Sequence, residues 1–359
     1  MKKKITIKTI ADMCNVSVGT VDRALNKRGR INTETRSKII ALCEELGYTP
    51  NTLARVLASN RRYKILVIIP KEPSDFFSLI KRGMEAAAEE AKKLKFDVEF
   101  LSPDRSIPYE QIEIISNLNT EDIDGIIINP ASHLLAPYIN GFVDKGIPVI
   151  TFSSDIAESK RLCYIGENVK DAGHVSGELM GKFLNGKGNV IIMTGAENIE
   201  SHQSRKAWFE KVIRNEYPKI KIIGNYYYNE KEAEADLIIR DLLHTGTDID
   251  GIFVTSSAGT VGVAMAMEKI NLELRPVVIG FDAVDYTKQA LKDNRLTATI
   301  CQEPYSQGYY SIKFMIKRLL EGWQPDRCFY YTKLNIALKY HSDIEKIDID
   351  MLGKDSICF

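Results

Sequence analysis

Nowhere in these 359 residues is there a CxxC pair, a histidine pair at i, i+4, or an apolar run approaching the roughly 18 residues of a membrane span. The six cysteines (Cys14, Cys43, Cys163, Cys301, Cys328, Cys358) are scattered. That excludes a disulfide framework and predicts reduced, mostly buried thiols. The five histidines (His133, His174, His202, His244, His341) have no neighbouring cysteine ligands, so neither metal nor cofactor is expected; His202, beside Arg205, either lines a cleft or, the preferred reading, is a solvent-exposed side chain. No G-x-S-x-G elbow, P-loop or GxGxxG comes after a strand, so an enzyme is not expected. Lys2, Lys3 and Lys4 resemble the start of a signal peptide, but Lys8 and Asp12 break the apolar stretch that such a peptide needs next. The expected location is cytoplasmic, with no membrane contact.

Net charge is also lacking, but the zero hides a split. Residues 1–62 hold 13 Lys and Arg against 5 Asp and Glu, a net +8, and the remainder carries the balancing −8. A basic module for a polyanion joined to an acidic body fits this asymmetry better than an evenly solvated surface.

Inside the basic module the apolar positions Ile7, Ile10, Ala11, Val21, Leu25, Ile39, Leu42 and Leu46 fall at helical spacing and close a three-helix core. Thr6, Ser17 and Asn32 are placed to cap the three helices, and Asn15 suits a left-handed turn between the first two. Residues 48–62 form a linker in which Asn51 opens a short helix. From Tyr63 the pattern changes to apolar runs alternating with helical stretches: 64–70, 97–101, 124–130 and 147–152, then 189–195, 220–226, 250–256 and 276–282. Strands without polar alternation, separated by helices, imply doubly wound parallel sheets covered on both faces. The two successive sets predict two α/β lobes, with a ligand cleft where the carboxyl ends of the strands meet. Gly259 and Gly262 open a helix and predict close helix–sheet packing.

The segment Val16–Asn26 opens a helix after a tight turn, as in a helix-turn-helix, where the start of the second helix reaches base edges. Ser17, Thr20 and Asn26 suit phosphate contacts, and Arg23 suits bidentate pairing to guanine. Val18 and Gly19 offer only apolar contact or close backbone approach. Asp22 either pairs with a neighbouring arginine or accepts from cytosine N4. Pro50-Asn51-x-x-Ala54-x-x-Leu57-Ala58 is too short for a stable isolated helix. Paired with its own copy in a minor groove, it would insert Leu57 between base steps and kink the duplex.

With T-I-x-x-I-A at Thr6–Ala11, V-S-x-x-T-V-x-R-x-L-N at Val16–Asn26, T-R-x-K-I at Thr35–Ile39 and LGYTPN-x-x-A-x-x-L at Leu46–Leu57, the chain resembles the LacI-type transcription regulators along essentially its whole length. The resemblance implies DNA contacts from Thr6, Ser17, Val18, Gly19, Thr20, Arg23, Asn26, Asn32, Thr35, Asn51, Ala54 and Leu57. It implies four parts: an all-α helix-turn-helix domain (1–47), a hinge (48–62), a two-lobed effector domain similar to ribose-type periplasmic binding proteins (63–340), and a tail (341–359). The first lobe spans about 63–165 and 303–330, the second about 166–302 and 331–340. Sugar-contacting positions would be Ser74, Phe76 and Phe77, Ser153, Ser154 and Asp155, Arg205, Ser256, Asp282 and Gln302. Serines at 153–154 and 256–257, with Arg205 kept, tilt the expected ligand toward an anionic or larger one, such as a sugar acid or sugar phosphate.

Three functions compete: a ligand-responsive DNA-binding regulator, a solute-binding protein, and an α/β sugar-modifying enzyme. The basic module favours the first. It predicts a homodimer reading a near-palindromic double-stranded operator, with a sugar or sugar derivative as effector. The acidic tail lacks the leucine heptads of a tetramer, so a dimer is the default.

Overall fold

In a computed structural model, residues 5–25, 31–46, 61–71, 75–104, 109–197, 199–270 and 275–343 are described. They fall into two compact units, Met1–Arg61 and Arg62–Phe359. The hinge positions Asn51, Ala54 and Leu57, together with Asn26, Ser74 and residues 344–359 of the tail, lie outside the described residues.

The first unit holds helices α1 (Ile7–Cys14), α2 (Val18–Leu25) and α3 (Thr33–Glu45). Each begins where the sequence places a cap. Thr6 and Thr9 form a capping box on α1, Ser17 Oγ accepts from the Thr20 amide at 3.1 Å, and Asn32 Oδ1 from the Glu34 amide at 2.8 Å. Asn15 takes φ 52° and ψ 47°, so the turn between α1 and α2 uses the one non-glycine type that tolerates this conformation well. Ile10, Ala11, Cys14, Val21, Ala24, Ile39 and Cys43 close the core.

The second unit builds two six-stranded sheets. The first contains β1 (Tyr63–Ile68), β2 (Phe96–Leu101), β3 (Gly125–Ile128), β4 (Val149–Phe152), β5 (Cys163–Gly166) and β11 (Phe329–Tyr331), in the order β2-β1-β3-β4-β5-β11. The second contains β6 (Lys187–Thr194), β7 (Lys219–Tyr227), β8 (Gly251–Val254), β9 (Val277–Phe281), β10 (Ala298–Cys301) and β12 (Asn335–Ala337), in the order β7-β6-β8-β9-β10-β12. Each is a doubly wound 2-1-3-4-5 sheet with one added edge strand, β11 parallel and β12 antiparallel. Strands β3, β4, β5, β8 and β10 are buried at every residue, as expected where helices cover both faces.

The covering helices are α4 (Asp75–Lys92), α5 (Glu110–Ser116), α6 (Ala136–Asp144) and α12 (Pro304–Glu321) on the first sheet. The second carries α7 (Val169–Phe183), α8 (Glu200–Glu216), α9 (Glu232–His244), α10 (Ser257–Lys269) and α11 (Asp285–Lys292). Among the described residues, no helix is long and apolar enough to cross a membrane. The segment FYYTKLNIALKY supplies two strands, β11 and β12, each completing a different sheet. One sequence expectation changes here. Gly262 serves helix–helix rather than helix–sheet packing, because an added Cβ would lie 2.3 Å from the Glu232 carbonyl at the start of α9.

Helices α4 and α12 approach through glycines as well. A Cβ at Gly308 would meet the Ile80 carbonyl oxygen at 2.0 Å. Gly308→Ala is therefore expected to force the helices apart and cost about 1–3 kcal/mol in urea unfolding. Gly141→Ala, in α6 with open space around its Cβ, should instead stabilise by about 0.5–1 kcal/mol. Equal effects at the two sites would refute the packing explanation.

Candidate effector site and reading helix

The chain passes between the two sheets three times, after Gly166, Cys301 and Tyr331, and the crossings are tied to one another. The Thr332 amide donates to the Gly166 carbonyl at 2.8 Å, and Thr332 Oγ1 donates to the Gln302 carbonyl at 2.8 Å. The cleft between the lobes lies beside this hinge, at the carboxyl ends of the strands.

Side chains enter the cleft from backbone held in uncommon conformations. Ser153 (φ 59°) comes after β4, Asp282 (φ 64°) after β9 and Glu230 (φ 58°) after β7. Left-handed non-glycine residues are held only where surrounding structure over-determines them, and they collect at binding sites.

Arg205 on α8 is the hub. Its Nε donates to Glu167 Oε1 at 2.6 Å, and Nη2 contacts the same oxygen. Nη1 donates to the Thr255 carbonyl at 2.6 Å, Nη2 reaches Gln302 Oε1 at 3.4 Å, and the guanidinium lies 4.0 Å from the Phe281 ring centroid. Gln302 Nε2 in turn donates to the Asp282 carboxylate at 3.2 Å. One buried network thus runs Glu167–Arg205–Gln302–Asp282, joining two of the three crossings to the end of β9. Burial pushes the Glu167 carboxyl above its ordinary value, while Arg205 pulls it back. Contact with two guanidinium nitrogens favours the ionised form at neutral pH.

Within the same lobe, the Tyr228 hydroxyl and Ser256 Oγ are 2.6 Å apart, and Ser256 Oγ donates to Glu230 Oε1 at 2.8 Å. Burial, then the Glu230 charge, raise the Tyr228 phenol well above its usual range, so it remains a donor. Phe76 and Phe77, on the first turn of α4, meet edge to face at 5.1 Å.

Phe76, Phe77, Ser153, Ser154, Arg205, Ser256, Asp282 and Gln302 are brought together around a cavity of about 40 Å³. Asp155 is not among them. Arg161 and Thr151 hold its carboxylate, and it lines a second cavity on the hinge side. His202, expected to be exposed, is buried at 5% exposure and lines the first cavity. It sits on the first turn of α8, three residues before Arg205, so it shares that residue's inward face. Sequence reading also missed Glu230, Ser201 and Glu167. The topological rule that ligands sit beyond strand ends was the available signal for Glu230 after β7 and Glu167 after β5.

His133 bridges the lobes at the rim. Its Nδ1 lies 3.1 Å from Glu158 of the same lobe, and its Nε2 contacts Glu200 at the start of α8. The hydrogen bond to Glu158 raises its pKa from 6.5, burial opposes this, and Glu200 adds to the rise. A raised histidine stabilises fully below about pH 6.5, and the contribution fades as pH climbs through the raised value. Wild-type thermal stability should therefore exceed that of His133→Gln at pH 6, with the gap closing by about pH 9. A pH-independent gap would rule out the charge.

In the first unit, Ser17, Val18, Gly19 and Arg23 are exposed on one stretch, and Val18 is 43% exposed. Arg23 folds along its own helix, with Nε donating to the Gly19 carbonyl at 3.1 Å and Nη2 to Thr20 Oγ1 at 3.3 Å. Thr6, Asn32 and Thr35 lie outside the buried core, with Thr6 and Asn32 occupied as helix caps.

Residues 65–322 match the periplasmic binding protein domain, and residues 6–51 match the bacterial regulatory proteins of the lacI family. The chain joins a lacI-family helix-turn-helix domain to a body that belongs to the periplasmic binding protein domain family. Among similar proteins, the ribose operon repressor of Halalkalibacterium halodurans is 24% identical over 322 residues, covering 88% of this chain and 90% of that protein. The probable HTH-type transcriptional repressor ExuR of Bacillus subtilis is 27% identical over 292 residues, covering 79% and 83%. The glucose-galactose binding protein GanP from Geobacillus stearothermophilus superposes with a TM-score of 0.71 at 27% identity, covering 78% of this chain and 99% of that one. The body therefore shares its two-lobed α/β fold with sugar-binding proteins, and the chain's relatives are named as regulators and binding proteins.

Proposed function

We propose that this LacI-family chain is a sugar-responsive transcriptional repressor that acts as a cytoplasmic homodimer. On this reading it recognises a near-palindromic operator through the helix opening at Ser17. Relatives named as repressors support the DNA role, and those named as sugar-binding proteins support the ligand class.

The observation that carries the effector reading is the Glu167–Arg205–Gln302–Asp282 network spanning the crossings. A ligand that engages Asp282 and Gln302 acts on groups anchored to the hinge, so it biases the angle between lobes. Repression responds only if the ligand binds one lobe arrangement more tightly than the other. The network also weighs on ligand charge. Arg205, whose retention favoured a sugar acid or phosphate, already has Glu167 as its counterion. Asp282 and Glu230 are the other charged groups among the described residues lining that cavity, beside His202. The chemistry therefore favours a neutral sugar or polyol, whose hydroxyls donate to these carboxylates.

The test is DNA retention by the full chain, then fluorescence anisotropy on a selected operator, against a panel of neutral sugars, polyols, uronates and sugar phosphates. A neutral ligand should change operator affinity at least fivefold without being chemically altered. A change produced by phosphates or uronates alone would overturn the neutral assignment, and product formation would favour an enzyme.

A further inference from the structure

The hinge-side cavity has the room that the first cavity lacks. It measures about 180 Å³, about six water volumes, against little more than one for the cavity around Asp282 and Gln302. The two share Ser153, Ser154 and Ser201, so they adjoin.

Its walls are of two kinds. Phe329 and Tyr331, on β11, present stacked rings 5.8 Å apart at 24°, and Tyr331 is 52% exposed. Asp155, Glu158 and Glu200 supply carboxylates to its surface, the fully buried Glu167 side chain lies beneath it, and no lysine or arginine is among its described lining residues. Their counterions Arg161, His133 and Arg205 are not lining residues, so the inner surface is acidic. One carboxylate is incompletely satisfied: Glu167 is fully buried, and its Oε2 has no hydrogen-bond partner among the described residues. A buried acceptor left in that state costs free energy. The aromatic wall already takes a cation, since the Arg161 guanidinium lies 5.0 Å from the Phe329 centroid.

We propose that this cavity binds an ammonium group. An ammonium combines the three properties the walls select: positive charge for the carboxylates, N–H donors or polarised C–H groups, and attraction to aromatic faces. A carboxylate or phosphate would instead face the carboxylates of Asp155, Glu158 and Glu200. The group arrives either on a free organic cation or as the amino substituent of a sugar seated in the adjoining cavity. Only the second source rests on the sugar reading. Because the cavity touches the crossings at Glu167–Asn168 and Phe329–Tyr331, its occupancy bears on the lobe angle in the same way as the first.

The test uses the full chain in calorimetry and thermal unfolding at matched ionic strength. Probes are tetramethylammonium chloride, ethanolamine, D-glucose with D-glucosamine, and D-galactose with D-galactosamine. A free-cation site predicts that tetramethylammonium or ethanolamine raises the unfolding midpoint above the sodium chloride control. A substituent site predicts about tenfold tighter binding of an amino sugar than of its parent. In either case the effect should disappear in Tyr331→Leu and weaken in Glu158→Gln; both side chains are partly exposed, and their unfolding midpoints report that the fold is kept. Parent and amino sugars binding equally, with no response to the free cations, would overturn the ammonium site and leave the sugar reading standing. A cation response without any sugar binding would support the site and count against the sugar reading. A cation or amino-sugar effect that survives Tyr331→Leu would also overturn it.

Discussion

Arg205→Ala is expected to destabilise the 62–359 unit by about 3–5 kcal/mol, the cost of leaving a buried carboxylate without its cation. Glu167 is fully buried, and Arg205 is its ion-pair partner. The deficit should depend on pH in a definite direction. Without the guanidinium, burial alone acts on Glu167 and holds its folded pKa far above the ordinary 4.5. A raised carboxyl is least costly below the unfolded value, and the penalty grows as pH rises through the folded one. Urea unfolding of Arg205→Ala should thus approach wild type near pH 4.5 and fall furthest behind above neutrality. Arg205→Met combined with Glu167→Leu should recover most of the loss, since removing both charges removes the orphan. A double variant as unstable as the single one would mean that Arg205 acts by packing on Phe281, not by charge. Sugar response should vanish in both variants, because the link between Gln302 and the first crossing is gone.

The second large effect concerns the reading helix. Arg23→Ala should lower affinity for a selected operator about 10- to 100-fold, the roughly 1–3 kcal/mol that a bidentate arginine–guanine contact contributes to discrimination. Non-specific binding should change little, and the slope of affinity against salt should fall by about one charge at most. In the free chain Arg23 bonds to Gly19 and Thr20. Breaking two such exposed bonds costs about 1–3 kcal/mol at most and is offset by pairing to a base. Anisotropy titrations on operator and scrambled duplexes at one salt concentration separate the possibilities. Equal losses on both duplexes would make Arg23 a phosphate contact.

The two units differ in how much of their structure is local. The amino-terminal module was legible almost residue by residue, because caps and helix periodicity act within four residues: Thr6, Ser17, Asn32 and the left-handed Asn15 are where the spacing places them. The α/β class was legible for a related reason. A strand buried on both faces has no polar face to present, and that shows in a run such as ILVII. The partnerships inside the cleft were not legible. Glu167 and Arg205 are 38 residues apart, Gln302 and Asp282 belong to different strand ends, and a glutamate in a loop looks the same whether it is solvated or sealed behind an arginine. His202 was misread for the same reason, because its burial depends on which face of α8 meets the cleft. The anionic-ligand expectation weakened because the sequence displays a cation without displaying its counterion.

By itself the sequence determined a basic three-helix module, a two-lobed parallel α/β body and the residue types available to a sugar site. The first two derive from composition and short-range periodicity, and the third from the resemblance to LacI-type regulators. Tertiary structure decided which charges neutralise one another, that the last two strands complete different sheets, and that an acidic, aromatic cavity opens beside the hinge. Those outcomes depend on pairing residues far apart in the chain, and chain closure is not written into any local spacing.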